Sequence, residues 1–203
     1  MYLVRPPYLF RKLFPKAIWR MDKTQKKIYL TFDDGPVPSI TPWVLDILKQ
    51  HNIKATFFCV GDNVQKHTTI YQRILTEKHA VGNHTFNHLK GWNTHSQNYI
   101  QNVGKCASFV STNLFRPPYG KVKKSQFRIL HPKFKIIMWD VLSGDYDKKT
   151  SPEKCLKNVI DMVRNGSIIV FHDSLKAQKN IEYALPRFIE YAKENGFEFE
   201  ILK

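Results

Sequence analysis

From Lys27 to the end of the chain, apolar runs of strand length alternate with segments in which apolar residues recur at helical spacing. This alternation predicts strands joined by helical crossovers, which is the arrangement of a parallel β/α fold. Seven runs are predicted as strands: residues 27–32, 54–60, 79–83, 114–117, 134–139, 167–171 and 197–202. Periodicity does not decide whether such a sheet closes into a barrel or stays open.

Between these strands, apolar residues that recur every three or four positions predict helices. The segments concerned are residues 44–51, 62–78, 95–111, 151–163 and 181–192. Ser151 followed by Pro152 is typical of a helix start. Pro186 interrupts the last segment, so we expect that helix to begin near Ala184.

The N-terminal segment differs from this pattern because it interleaves basic and aromatic residues. Residues 1–27 hold eight lysines and arginines and one aspartate, so they carry +7 of the net charge of +15. We predict a basic, aromatic arm over residues 1–24 and one domain over residues 25–203. Such an arm either packs its aromatic residues on the domain or contacts an anionic membrane surface or polymer. A nucleic-acid partner is disfavoured because no nucleic-acid motif accompanies the charge.

Neither a signal peptide nor a transmembrane span is predicted, because the residues from Arg5 to Pro7 break any apolar run at the N-terminus. We therefore expect the protein in the cytoplasm or at the inner face of the membrane. We also expect a monomer, and a cell-envelope glycan is a further candidate substrate. Cys59, Cys106 and Cys155 lie far apart and are predicted to be thiols without a disulfide or a metal.

Unusual polar residues stand at the ends of the predicted strands. In strand order they are Asp33 and Asp34, His84 and His88, Arg116, Asp145, and His172 with Asp173. The carboxyl ends of parallel strands meet at one rim, where β/α proteins carry their chemistry. The sequence therefore predicts one site that combines these side chains.

A divalent metal would explain the adjacent carboxylates. Two histidines four residues apart face one side of a helical turn, a spacing that zinc sites use. Together with one aspartate they leave a zinc position open for water, and the second aspartate stays free as a base. Arg116 would hold that free carboxylate. His172 is the candidate general acid, with a pKa set by burial and by Asp145.

Each of these motifs has a simpler interpretation when it stands alone. Histidines four apart occur by chance in a chain with eight histidines, and the aspartates of "DDGP" could cap a turn. Arg116 could be a surface arginine, and His172 could be a core histidine bonded to the backbone. The convergence of all of them on one rim favours an active site.

The motifs resemble those of the polysaccharide deacetylase (NodB homology) family of carbohydrate esterases. They are "TFDDGP" (31–36), "GNHTFNH" (82–88), "RPPYG" (116–120), the stretch 139–146 and "IIVFHD" (168–173), and the resemblance spans residues 27–202. It implies a distorted or incomplete (β/α) barrel of about seven parallel strands. It also implies one divalent metal, usually zinc, with cobalt, nickel or manganese as alternatives. The implied reaction is hydrolysis of N-acetyl, in preference to O-acetyl, groups on an acetylated glycan.

The resemblance also implies the residues that do this. The metal ligands would be Asp34, His84 and His88. Asp33 would be the base that activates metal-bound water, and Arg116 would orient Asp33. The Tyr119 backbone N–H would stabilise the oxyanion. His172 would be the acid, and Asp145 would tune that acid.

Three positions depart from the family pattern: Leu142 and Tyr146 in the fourth motif, and Val170 in the fifth. They make a substrate other than plain N-acetylglucosamine chains more plausible. Two alternatives stay open at this point. One is a hydrolase of another non-peptide C–N bond on the same scaffold, and the other is a catalytically inactive glycan-binding module.

Overall fold

The computed structural model describes residues 3–203; Met1 and Tyr2, the first residues of the predicted arm, lie outside the described residues. The strands are β1 (Lys27–Asp33), β2 (Thr56–Cys59), β3 (Ala80–Asn83), β4 (Leu114–Phe115), β5 (Lys135–Ile136), β6 (Val141–Leu142), β7 (Ile168–His172) and β8 (Glu198–Phe199). Seven of them pair in the order β5-β4-β3-β2-β1-β7-β6, and β8 pairs with the start of β1. Every pair is parallel. The predicted α/β fold with an incomplete barrel is confirmed.

Within the predicted strand 134–139 only the short strand β5 forms, and β6 follows it outside the predicted range. Between them the backbone turns to other partners: Ile137 forms a bridge with Ile18 of the arm, and the Asp140 N–H donates to the Ile168 carbonyl (3.0 Å). The pattern could not indicate β6, because two residues are too few to form an apolar run.

The helices are α1 (Tyr8–Lys12), α2 (Ile40–Gln50), α3 (Gly61–Lys66), α4 (Thr68–Thr76), α5 (Ser96–Ala107), α6 (Lys124–Leu130), α7 (Pro152–Ile160) and α8 (Gln178–Glu194). The predicted cap of α7 is confirmed, since the Ser151 hydroxyl accepts a hydrogen bond from the Lys154 N–H (3.2 Å). Of the described helices, none combines the length and the hydropathy needed to cross a bilayer.

The prediction that Pro186 delays the last helix to Ala184 is wrong, because α8 begins at Gln178 and runs through the proline. A proline inside a helix costs about 3 kcal/mol. Here the helix keeps a fully buried apolar stripe on both sides of Pro186, and each such side chain contributes about 1.5–3 kcal/mol. Burial of this stripe outweighs the lost backbone hydrogen bond.

The core lies between the strands and the helices that cover them. On β1 and β2, Phe32 and Phe57 stack with their ring centroids 5.0 Å apart, and both are buried. The three cysteines are free thiols, and all of them are buried.

The arm packs against the domain rather than extending from it. Ala17 and Trp19 are buried, and the Arg11 guanidinium reaches the buried carboxylate of Asp140 (3.0 Å). The exposed side chains of the arm include Leu3 and Leu9. The boundary between arm and domain near residue 24 stays a prediction.

Candidate active site

Asp33 is the last residue of β1 and is buried. Its Oδ1 accepts a hydrogen bond from Nη1 of Arg116 at 2.6 Å. The same guanidinium donates to the Thr31 hydroxyl (2.8 Å) and to the carbonyls of Ile137 (3.4 Å) and Met138 (3.0 Å). Arg116 is thus buried but fully engaged, and its ion pair fixes one oxygen of Asp33.

Asp34 leaves the strand in a left-handed conformation, with φ of 85°. The chain direction therefore changes at Asp34, before the Gly35–Pro36 pair. The turn is held by the Asn63 side-chain amide, which donates to the Asp34 carbonyl (2.7 Å), and by the Gly35 N–H, which donates to Asp173 (3.0 Å). This turn brings both carboxylates to the rim.

Asp173 is a fully buried residue to which sequence reasoning assigned no role. It accepts hydrogen bonds from the Gly35 N–H and from the Thr41 hydroxyl (2.6 Å). A Cβ at position 35 would overlap its carboxyl group, so only glycine fits there. Burial raises the pKa of Asp173 to about 8, and the charge of Asp34 adds to this, although the Thr41 hydrogen bond opposes it. In the sequence, only its position next to His172 indicates that Asp173 lies near the site.

His84 and His88 lie in a loop after β3, so the expectation that they share a helical turn is wrong. The loop reverses through left-handed residues at Thr85 (φ 63°) and at His88 itself (φ 54°). Side chains satisfy its backbone: Asn83 Oδ1 accepts from the Thr85 N–H (2.9 Å), and the Thr85 hydroxyl accepts from the Leu89 N–H (3.0 Å). The histidine rings are 5.1 Å apart between centroids.

Asp34, His84 and His88 form a group that could hold a metal ion. One ligand atom from each lies within 4.8 Å of the others. Nε2 of His88 is 3.1 Å, and that of His84 3.7 Å, from Oδ1 of Asp34. Atoms that share a tetrahedral zinc at about 2.1 Å lie about 3.4 Å apart, so the spacing fits.

The protonation of this group also fits a metal. Nδ1 of His84 is 2.8 Å from the Arg116 carbonyl, which can only accept, so the proton is on Nδ1 and Nε2 is free towards Asp34. Burial is the largest effect on the pKa of His84 and lowers it to about 4, which keeps the imidazole neutral. Burial opposes ionisation of Asp34, but the hydrogen bond from His88 and the charges of nearby histidines outweigh it and lower its pKa.

His172 ends β7 and pairs with Asp145. Nδ1 of His172 is 2.8 Å from Oδ1 of Asp145, and the His172 backbone N–H donates to Oδ2 (2.6 Å). The edge of the Tyr146 ring packs near the imidazole, with centroids 4.8 Å apart. Burial alone would lower the pKa of His172, but the charge and hydrogen bond of Asp145, with smaller contributions from Asp34 and Asp33, raise it to about 9. The imidazole is therefore charged at neutral pH.

Six of the eight predicted site residues line one cavity of about 430 Å³: Asp33, Asp34, His84, His88, Tyr119 and His172. The other two, Arg116 and Asp145, contact members of this set. Tyr119 has a left-handed backbone (φ 60°), and its ring lies 4.7 Å from that of His88. The three departures from the family pattern line the same cavity: Leu142, Tyr146 and Val170.

Sequence reasoning missed the part of the cavity that the arm supplies. Four apolar arm residues line it: Leu3, Pro6, Pro7 and Phe10. They follow no periodic pattern, and nothing in their sequence indicates which part of the domain they contact. Trp92, Trp139, Gly120, Lys121 and Lys176 also line it without belonging to the predicted catalytic set.

Comparisons with known proteins agree with this geometry. A peptidoglycan-N-acetylglucosamine deacetylase of Bacillus cereus is 30% identical over 188 residues, which cover 89% of this chain and 88% of that protein. The corresponding deacetylase PgdA of Listeria monocytogenes is 37% identical over 191 residues, which cover 91% of this chain but only 39% of that protein.

A solved structure resembles the whole fold. The crystal structure of the Bc1960 peptidoglycan N-acetylglucosamine deacetylase, in complex with a hydroxamate-type benzamide, superposes with a TM-score of 0.86 at 30% identity, over 97% of this chain and 95% of that one. The polysaccharide deacetylase profile matches residues 20–131, more than half of the sequence. On these grounds the chain belongs to the polysaccharide deacetylase family of hydrolases, as its motifs predicted.

Proposed function

We propose that this protein is a metal-dependent hydrolase that removes acetyl groups, N-acetyl in preference to O-acetyl, from a sugar or polysaccharide. The observation that carries the proposal is a carboxylate held by an arginine, directly beside a candidate metal group and in one cavity with a charged imidazole. The names of the relatives support the substrate class, since they describe deacetylation of N-acetylglucosamine in peptidoglycan.

Asp34, His84 and His88 would hold one divalent cation. Zinc is the first choice because it favours two imidazoles and a carboxylate, and cobalt, nickel or manganese are the alternatives. Such a cation would supply a Lewis acid that polarises the acetyl carbonyl and makes the attacking water more acidic. The remaining chemistry belongs to side chains and backbone.

Asp33 is the proposed general base. Arg116 engages one of its carboxylate oxygens, which leaves the other to take a proton from the attacking water. Because the guanidinium makes three further bonds, to the Thr31 hydroxyl and to the carbonyls of Ile137 and Met138, it positions Asp33 rather than touching substrate. The backbone N–H of Tyr119 is assigned to the oxyanion that develops on the acetyl oxygen.

His172 is the proposed general acid. Its raised pKa keeps a proton on the imidazole at neutral pH, and that proton would go to the leaving amine. Asp145 orients the ring through Nδ1, which leaves Nε2 as the donor towards the cavity. Base and acid are thus separate groups with different partners, Arg116 for Asp33 and Asp145 for His172.

Replacing Asp33 by Asn tests the assignment of the base. The amide keeps the shape of the side chain but cannot accept the proton, so we expect acetate release to fall at least about 100-fold while metal content is retained. Asp46→Asn is the matched control, since Asp46 is exposed and pairs with Arg73 away from the cavity. Unchanged turnover in Asp33→Asn would refute this role.

The same assay separates the alternatives. Release of product from small amides, but not from acetylated sugars, would favour a hydrolase of another C–N bond. Binding of metal and glycan without any acetate release would favour an inactive glycan-binding module.

We also propose an anionic membrane surface as a partner of the arm. This would place the enzyme at the inner face of the membrane, and a cell-envelope glycan stays a candidate substrate. The arm exposes large apolar side chains next to basic ones, as interfacial segments do: Leu3, Tyr8, Leu9, Phe10 and Leu13. In sedimentation with phosphatidylglycerol vesicles, we expect Leu9→Ser to reduce the bound fraction. Leu75→Ser, an exposed leucine on α4, is the control, and equal binding of both variants would exclude the arm.

A further inference from the structure

We propose that residues 3–10 of the arm form an apolar subsite for an apolar aglycone, that is, a hydrocarbon group joined to the acetylated sugar. The inference rests on the proposed deacetylase function and specifies the substrate class further. The arm residues concerned are Leu3, Pro6, Pro7 and Phe10, which line the cavity that also contains Asp33 and His172.

The arm segment is fixed in place by specific bonds. The Leu142 N–H of β6 donates to the Val4 carbonyl (2.8 Å). Nε of Arg11 donates to the Pro6 carbonyl (3.1 Å), and its Nη2 donates to Asp140 (3.0 Å). These bonds involve residues 4, 6 and 11, which are the immediate neighbours of Leu3, Pro7 and Phe10, so the wall is part of the folded structure.

Asp140 is the anchor of this wall. Its carboxylate is fully buried and also accepts from Arg164 (2.6 and 2.9 Å) and from the Ser167 hydroxyl (2.9 Å). These hydrogen bonds and ion pairs stabilise the buried charge of Asp140, because hydrogen bonds to a charged group are stronger than those between neutral groups. The arm is therefore tied to the strand edge that carries β6 and β7.

Aromatic contacts extend the apolar surface from the arm into the cavity. The ring of Phe10 meets that of Trp19 edge-on at 6.3 Å, and Trp19 lies 6.4 Å from Trp139. Phe10 and Trp139 both line the cavity, so Trp19 supports the wall from behind.

Burial indicates which part of a substrate meets the arm. Leu142 and Val170 are 7% and 1% exposed and form the deep end of the lining, whereas Leu3 and Phe10 are 59% and 40% exposed and stand at its opening. The acetyl group must reach the catalytic side chains inside the cavity. A group that extends towards the opening is therefore attached to the sugar and not to the acetyl group. The arm residues offer no side-chain hydrogen bonds for hydroxyls, which favours a hydrocarbon.

The size of the effect depends on how much of the hydrocarbon the arm covers. A tenfold gain in affinity corresponds to covering about 55 Å² of apolar surface at about 25 cal/mol per Å². We therefore expect kcat/KM for the hexyl glycoside of N-acetylglucosamine to exceed that for the methyl glycoside by about tenfold. The preference should fall to about twofold in the double variant Leu3→Ala/Phe10→Ala, because its opening has lost most of this surface.

Leu9→Ala is the matched control, since Leu9 is an exposed arm residue that does not line the cavity, and it should keep the wild-type ratio. Calorimetric binding of hexyl and methyl glucoside, which carry no acetyl group, measures the subsite separately from deacetylation. If neither acetylated compound releases acetate but hexyl glucoside still binds more tightly in an arm-dependent way, the proposed function fails and the subsite stands.

Two results would overturn the inference. One is the same hexyl-to-methyl ratio in the wild type and in Leu3→Ala/Phe10→Ala. The other concerns the acyl group: the methyl glycoside with a butyryl group is preferred over the one with an acetyl group, and this preference depends on Leu3 and Phe10 while the hexyl-to-methyl ratio does not. The wall would then bind the acyl group rather than the aglycone.

Discussion

Replacing Asp145 by Asn perturbs the proposed acid without touching the candidate metal ligands. The carboxylate accepts from Nδ1 through one oxygen and from the backbone N–H of His172 through the other. Asn has the same shape but only one accepting oxygen, so it removes the charge and can keep only one of these two hydrogen bonds. The other groups that face the imidazole are Asp34, Asp33 and the ring of Tyr146. The substitution therefore isolates the largest favourable charge acting on His172.

The magnitude follows from the pKa. A shift of His172 from its ordinary value near 6.5 to about 9 corresponds to about 3 kcal/mol in favour of the charged ring. Without Asp145, burial dominates and the pKa falls to about 6.5 or below. At pH 7.5 the protonated fraction then drops from nearly complete to about one tenth, so we expect activity to fall at least about tenfold.

The assay is the pH dependence of kcat/KM from pH 6 to 10, in wild type and variant with the same metal loading. A bound cation would offset part of the negative charge of Asp34 in both proteins. The test is therefore the difference between wild type and variant in the position of the basic limb, not its absolute pH. The basic limb should move down by at least about 2.5 pH units in Asp145→Asn. Asp147→Asn, the same change two residues later, should leave it in place. A basic limb that stays where it is in Asp145→Asn would refute the reasoning.

Stability offers a second measurement with a defined sign. Because folding raises the pKa of His172, the stabilisation is fully present below about pH 6.5 and is lost as pH rises through about 9. The melting temperatures of wild type and Asp145→Asn should therefore differ most near pH 6 and converge above about pH 9.5. A difference that grows with pH would contradict this sign.

Three further substitutions test the rest of the site. Arg116→Lys should lower the free energy of unfolding by about 3 kcal/mol in denaturant titrations, because lysine cannot span the buried bonds around Asp33, and an unchanged value would contradict the pairing. His88→Ala should weaken metal affinity more than about 100-fold by elemental analysis and competition, and full metal content would remove it from the ligands. Gly35→Ala should destabilise the fold by about 1–3 kcal/mol through overlap with Asp173, whereas Gly104→Ala, where space is open, should not.

The composition of the site was predictable because one rule of topology governs it. Strands of a parallel sheet end at the same edge whatever joins them, so polar residues at strand ends converge. Asp33, Arg116 and His172 obey this rule, and their spacing along the chain of up to 139 residues does not matter. Strand ends can be located within a residue or two from apolar runs, which is sufficient for this purpose.

Local geometry was less predictable because it depends on individual side-chain hydrogen bonds and on contacts with residues that are distant in sequence. The spacing of His84 and His88 fits a helical turn, but the side chains of Asn83 and Thr85 accept backbone hydrogen bonds that stabilise a loop instead. The helix through Pro186 depends on burial against strands that a local pattern does not contain. The arm is the extreme instance, since its position depends on Asp140, a carboxylate more than 100 residues away.

The adjacent carboxylates at the end of β1 are stable because the fold gives each a different partner. Asp33 pairs with a guanidinium, and Asp34 lies against two imidazoles. Asp173, the third carboxyl group at this turn, has its pKa raised to about 8 and is mostly protonated at neutral pH, so it adds little further negative charge. Three aspartates can therefore share one strand end while only one of them, Asp33, stays available as a base. This division also explains why the turn needs glycine at position 35, where the neutral carboxyl group approaches the backbone most closely.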